Sequence, residues 1–177
     1  MPAHVFIATS LDGFIARLDG GLDWLPSGGS GEGEDHGYTA FTDGIDAVVM
    51  GRNTYEVVLG FGGWHFTKPV VVLSSHGVDI APDLREKVFS MTGSPEEVSA
   101  QCAARGWREL YVDGGVTIQR FLRAGLIERM IITRIPVVLG AGIPLFGAVP
   151  QDVRLDHVRT QAYDSGLVQS EYRVRAE

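Results

Sequence analysis

Three apolar runs in this chain each end in small or polar residues suited to holding a phosphate. Val48-Val49-Met50 passes into Gly51-Arg52-Asn53-Thr54, Val71-Val72-Leu73 into Ser74-Ser75-His76, and Tyr111-Val112 into Asp113-Gly114-Gly115-Val116-Thr117. In an open α/β sheet, ligands bind just outside the carboxyl ends of the strands. Two helix starts beside glycines would leave N–H groups and positive dipole ends free to receive a pyrophosphate. Arg52 adds a cation with bidentate reach for phosphate oxygens. Ser74 and Ser75 stand where an Asp or Glu would mark a free ribose 2′-hydroxyl. Together with Arg52 they favour a 2′-phosphate, and so NADPH over NADH. Taken singly, each feature has a plainer explanation: turn glycines, loop serines, a solvated arginine. The combination, in this order, points to a dinucleotide.

Other chemistries lack their motifs. The sequence has no G-x-x-x-x-G-K-[ST] and no strict G-x-G-x-x-G after a strand, which removes the P-loop and the ordinary Rossmann fingerprint. H-E-x-x-H and paired C-x-x-C are missing and the five histidines are far apart, so no metal site is expected. There is no G-x-S-x-G nucleophile elbow.

The elements that must position these residues alternate. Val5–Ala8, Ala47–Met50, Val70–Leu73, Glu109–Val112 and Met130–Arg134 read as short buried strands. Residues 35–42, 54–59, 95–105 and 117–124 read as helices, and Ser94-Pro95-Glu96-Glu97 is a strong helix start. Val153–Ala162 and Leu167–Val174 flank Asp164-Ser165-Gly166, which predicts an antiparallel hairpin. The pattern predicts an α/β fold with a mixed, mainly parallel sheet and helices on both faces. Pro26–Gly33 is glycine-rich and reads as a connector in preference to a lid.

With 177 residues, 45% of them hydrophobic, the chain can build one full core, so a single domain over 1–177 is expected. A net charge of −7 argues against a nucleic-acid partner. Charges and prolines interrupt the apolar stretch 126–150, which argues against a membrane span. A single cysteine, and no basic region ahead of His4-Val5-Phe6-Ile7-Ala8, lead us to expect a cytoplasmic protein.

The order and spacing of Met50-Gly51-Arg52-Asn53-Thr54-Tyr55-Glu56, Val72-Leu73-Ser74-Ser75 and the Gly114-Gly115 turn resemble dihydrofolate reductase. Ala8-Thr9-Ser10-Leu11-Asp12-Gly13-Phe14-Ile15-Ala16, Asp19-Gly20-Gly21-Leu22-Asp23-Trp24-Leu25 and 137–146 are more similar to the reductase domain of the bacterial riboflavin-biosynthesis deaminase–reductase and its stand-alone relatives. The resemblance implies a dihydrofolate-reductase-like three-layer fold with an eight-stranded sheet. It also implies NADPH-dependent hydride transfer to a pyrimidine or pteridine, of the 5-amino-6-(5-phosphoribosylamino)uracil or dihydrofolate kind. The stretch after the second strand departs from the riboflavin pattern and leaves the substrate open.

Carried over by position, Gly51, Arg52, Asn53 and Thr54 would meet the pyrophosphate and 2′-phosphate side, and Leu73, Ser74 and Ser75 the adenosine end. Gly114, Gly115, Val116 and Thr117 would hold the pyrophosphate near the nicotinamide, which Ala8 and Ile15 would line. Asp35 is the carried-over candidate for the catalytic, substrate-orienting carboxylate; as a favoured cap, it equally suits the start of the helix there. Trp24 is a candidate wall of the substrate site, with core packing as its other reading, and Asp12 and Asp23 are further carboxylates near the cleft. The partner expected is a small heterocycle. A homodimer is expected by resemblance alone, and a non-catalytic NADPH-binding sensor or scaffold is the alternative function.

Overall fold

The computed structural model describes residues 2–26 and 34–175, so the tract Ser27–Gly33 lies outside the described residues. Val70, Val71, Val72, Val49 and Met50 have no exposed surface. Strands apolar on both faces are stable only between two layers of helix, the condition of a parallel sheet. That sheet is observed, in the order β5-β4-β3-β6-β1-β7-β10-β9. Its strands are β1 (Ala3–Thr9), β3 (Ala47–Gly51), β4 (Val70–Leu73), β5 (Val88–Met91), β6 (Leu110–Asp113), β7 (Ile127–Arg134), β9 (Leu155–Ala162) and β10 (Val168–Val174). The pairs from β5 through β7 are parallel, while β10 runs antiparallel to both β7 and β9.

Among the described residues four α-helices cover the faces: α1 (Tyr38–Asp43), α2 (Arg52–Leu59), α3 (Pro95–Ala104) and α4 (Gly115–Arg123). Phe41 of α1 and Tyr55 and Val58 of α2 pack on one face with Met50, Tyr111 and Ile131. Val98 and Cys102 of α3 and Ile118 and Phe121 of α4 pack on the other with Val5, Val49 and Val112. The adjacent strands β3 and β6 send their helices to opposite faces, α2 leading to β4 and α4 to β7. Such a reversal opens a crevice at the strand ends.

The expected eight-stranded sheet with a closing hairpin is present, and three local differences have physical reasons. Strand β5 was not anticipated; it has four residues at the sheet edge and follows the charged run Arg85-Glu86-Lys87, so its periodicity is too short to read. A second, antiparallel pair joins β2 (Phe14–Ala16) to β8 (Ile143–Pro144), elements set by tertiary contact. The helix expected from residue 35 begins at Tyr38, because His36 (φ 51°) and Gly37 (φ 82°) are left-handed and cannot continue a right-handed turn. Gln169 Nε2 pins that turn by donating to the His36 carbonyl and to Thr133 Oγ1, each at 3.0 Å. Among the described residues, no helix is long and apolar enough to cross a membrane.

Candidate functional site

Helix α3 closes its own N-terminus. The Ser94 hydroxyl accepts from the Glu97 amide at 3.2 Å, and the Glu97 carboxylate accepts from the Ser94 amide at 2.8 Å. Helices α2 and α4 are capped by Gly51 and Gly114, with no side-chain cap on either. Their first amides are left for another acceptor. The two starts also interlock. A Cβ on Gly114 would collide with the Thr54 hydroxyl, and one on Gly51 would lie 3.2 Å from Thr117 Oγ1. Each helix thus lays its third residue, a threonine, against the capping glycine of the other. A Cβ on Gly115 would sit 2.9 Å from Ile15 Cδ1, so that glycine lets β2 approach.

Both starts open into one cleft of about 1170 Å³. This exceeds the roughly 300–1,000 Å³ of a site for one drug-sized ligand, leaving room for a dinucleotide and a second molecule. Every residue expected to hold the cofactor lines it: Ala8 and Ile15; Gly51, Arg52, Asn53 and Thr54; Leu73, Ser74 and Ser75; Gly114, Gly115, Val116 and Thr117. At the far end from β1, the Ser74 hydroxyl donates to the Gly77 carbonyl at 2.7 Å, and Ser75 Oγ lies 2.8 Å from His76 Nδ1. Arg52 is half exposed and pairs with Glu56 at 2.7 Å. Arg120 enters the same end and donates to the Gly93 carbonyl at 2.9 Å.

The structure does not bring Asp35 or Trp24 into that lining. The Asp35 carboxylate accepts from the Gly37 and Thr39 amides at 2.9 and 2.8 Å, and the Thr39 hydroxyl together with these amides holds its carboxyl at about 2. The residue organises the turn before α1, the capping role, and its catalytic assignment has no support in this geometry. Trp24 is partly buried, its Nε1 enclosed with no partner among the described residues. The other two carboxylates are also engaged. Asp12 accepts from the Ser10 hydroxyl and from the Leu139 and Gly140 amides, tying the β1–β2 loop to the β7–β8 loop, and Asp23 pairs with Arg17 at 2.6 Å.

Among the described residues three carboxyls face the cleft, those of Asp19, Glu56 and Asp113, and Asp113, the last residue of β6, is the one whose titration is raised. Burial pushes it up to about 6, against the lowering effect of the Gly114 amide that it accepts at 2.8 Å. By strand alternation it shares the α1/α2 face with Tyr111, whose hydroxyl donates to the Phe6 carbonyl at 2.9 Å. In the sequence the apolar run ends at Val112, so Asp113 reads there as a turn residue, whereas β6 extends through it. Sequence reading also missed the apolar wall formed by Leu18, Leu22, Leu25, Val57 and Phe61. Val57 on the open face of α2 and Phe61 just past its Gly60 cap, four and eight residues past Asn53, were the available signal.

The sequence model of the RibD C-terminal domain matches residues 4–169. The chain belongs to the RibD C-terminal domain family. A crystal structure of a Shewanella sp. PV-4 protein, provisionally named for riboflavin biosynthesis, is 42% identical, covers 99% of this chain and 100% of that one, and superposes with a TM-score of 0.93. The uncharacterised protein YwjB of Bacillus subtilis (strain 168) is 33% identical over 167 residues, 85% of this chain and 86% of its own length. Dihydrofolate reductase from Enterococcus faecalis, solved with NADP(H), covers 98% of this chain and 96% of its own at 19% identity and a TM-score of 0.65. At that identity the likeness concerns the fold, which is dihydrofolate-reductase-like.

Proposed function

We propose that this RibD C-terminal domain protein is an NADPH-dependent reductase of a pyrimidine- or pteridine-type small molecule. One observation carries the reading: two helix N-termini without caps of their own, locked together by Thr54 on Gly114 and Thr117 on Gly51, open into a single cleft beside Asp113. Free amides at paired helix starts suit a pyrophosphate, and a side chain at either glycine would fill the space they enclose. Arg52, Arg120, Ser74, Ser75 and His76 gather at the outer end, a donor set suited to the adenosine and its 2′-phosphate. Binding there requires Arg52 to exchange Glu56 for phosphate oxygens.

When bound, NADPH supplies a hydride from its nicotinamide ring to an electrophilic C=N or C=O carbon. Ala8 and Ile15 line the end of the cleft at β1 and β2 and keep water from that approach. Asp113, held at about 6, can carry or deliver a proton near neutrality, whereas Asp35 at about 2 stays ionised. Aligning donor and acceptor between the two helix starts and the β1 edge is the main contribution of the protein.

The test is the loss of NADPH absorbance with dihydrofolate and with 5-amino-6-ribosylaminouracil, with and without its phosphate. Turnover of any of them supports the reading. Tight NADPH binding without turnover of any of them would favour a sensor or scaffold, and absence of NADPH binding would end the reading.

A further inference from the structure

The eight-stranded sheet divides at its centre. Among the described residues β1 and β6 pair at only two positions, Ala3↔Leu110 and His4↔Tyr111. Past them, β1 keeps its pairing with β7 as far as Thr9↔Arg134, and β6 keeps its pairing with β3 as far as Met50↔Asp113. The two halves therefore part toward their carboxyl ends, where the cleft lies. Phe6 and Ala8 line it from β1, and Tyr111 and Asp113 from β6.

Backbone direction decides what faces this split. In a strand with a neighbour on each side, successive residues turn their N–H and C=O to alternate sides. The Pro2 carbonyl accepts from the Leu110 amide of β6, and the Thr9 carbonyl accepts from the Ile135 amide that follows β7. Phe6 and Ala8, in step with Pro2, turn theirs toward β6. Past the end of the ladder no strand backbone meets them, and a buried carbonyl without a donor is costly. The Tyr111 hydroxyl supplies one, donating across the split to the Phe6 carbonyl at 2.9 Å. Burial above all, then the neighbouring Asp113 and Tyr38, holds the phenol well above its ordinary range, so it remains a donor at neutral pH.

Rings from α1 close over the same place. Tyr111 meets Phe41 edge-on at 5.2 Å and Tyr38 at 6.5 Å, while Phe6 meets the same two rings at 5.1 and 5.4 Å. Ring packing resists separation of the strands without selecting one distance, because dispersion is shallow and non-directional. A hydrogen bond to a carbonyl is short and directional, and it does select one.

We propose that Tyr111 is a positioning residue: its hydroxyl, held on the Phe6 carbonyl, sets the width of the split between β1 and β6 and so the placing of Ala8, at the nicotinamide end, against Asp113. This rests on the proposed reductase reading and adds to it a residue that acts through the spacing of two strands.

The test compares the full chain with Tyr111→Phe, which keeps the ring and removes the donor, and with Phe41→Leu, which loosens the ring packing and keeps the donor. Calorimetry gives the Kd of NADPH and of 2′-phosphoadenosine diphosphate ribose, the same molecule without its nicotinamide. Tyr111→Phe should weaken NADPH about five- to tenfold and the fragment less than about twofold. Phe41→Leu should lower the melting midpoint at least as much and leave the ratio of the two affinities unchanged. With a substrate that turns over, Tyr111→Phe should lower kcat about tenfold and keep the substrate KM within about twofold. A ratio that Tyr111→Phe does not move overturns the inference, as does an equal change in Phe41→Leu. A wild-type chain that binds neither ligand, or does not distinguish them, removes the reductase reading and the inference with it, so the two failures are told apart.

Discussion

Two aspartates illustrate how environment assigns roles to one chemical group. Asp35 is exposed and accepts from the Thr39 hydroxyl and two amides, so its carboxyl falls to about 2; Asp113 is partly buried at a strand end, where desolvation raises it to about 6. Asp113→Asn should lower turnover at least about 100-fold, since it removes a proton carrier, with NADPH affinity retained in a direct binding assay. It should also change stability. A carboxyl raised above its ordinary 3.8 favours the fold below that pH and loses the contribution as pH rises through about 6. Asp113→Asn should therefore be more stable than the wild type by about 1–3 kcal/mol above pH 6, a gain that fades toward pH 4 in denaturant titrations. For Asp35 the sign reverses: a lowered carboxyl stabilises above 3.8 and loses this as pH falls toward about 2. Asp35→Ala should lower the melting midpoint at neutral pH and leave kcat and KM unchanged.

At the scale of elements, the contrast among α2, α3 and α4 connects helix capping to function. Helix α3 satisfies its own first turn through Ser94 and Glu97, and α2 and α4 do not. Ser94→Ala should cost about 1 kcal/mol in urea unfolding and leave NADPH binding intact. Gly114 has φ 88°, and its missing Cβ gives Thr54 room. Gly114→Ala should cost about 1–3 kcal/mol and, by forcing the two helix starts apart, weaken NADPH more than its loss of stability alone explains. A Gly114→Ala protein of reduced stability but unchanged NADPH affinity would show that the interlock serves the fold and not the ligand.

For the molecule as a whole, the cleft joins both faces of the sheet, because α2 and α4 leave adjacent strands in opposite directions. A ligand across it couples the two layers, so NADPH should raise the melting midpoint, with about 2.7 kcal/mol of added stability at a hundredfold excess over Kd. NADH should raise it less, and added salt should narrow the difference, since the 2′-phosphate contact is electrostatic. Equal shifts from both cofactors would count against a 2′-phosphate site.

The sequence by itself determined the strand–turn–helix units, the closing hairpin and the glycine and hydroxyl residues of the three strand ends that line the cleft, though not Arg120. These are local features, in which an apolar run, a glycine and a helix start follow one another within a few residues. Only the tertiary structure decided that Asp113 and not Asp35 meets the cleft, since the rise of Asp113 comes from packing around β6, and the turn at His36 and Gly37 keeps Asp35 occupied before α1 begins. The fit of Thr54 against Gly114 was equally hidden, because it arises where segments far apart in the chain are brought together by the order of strands in the sheet.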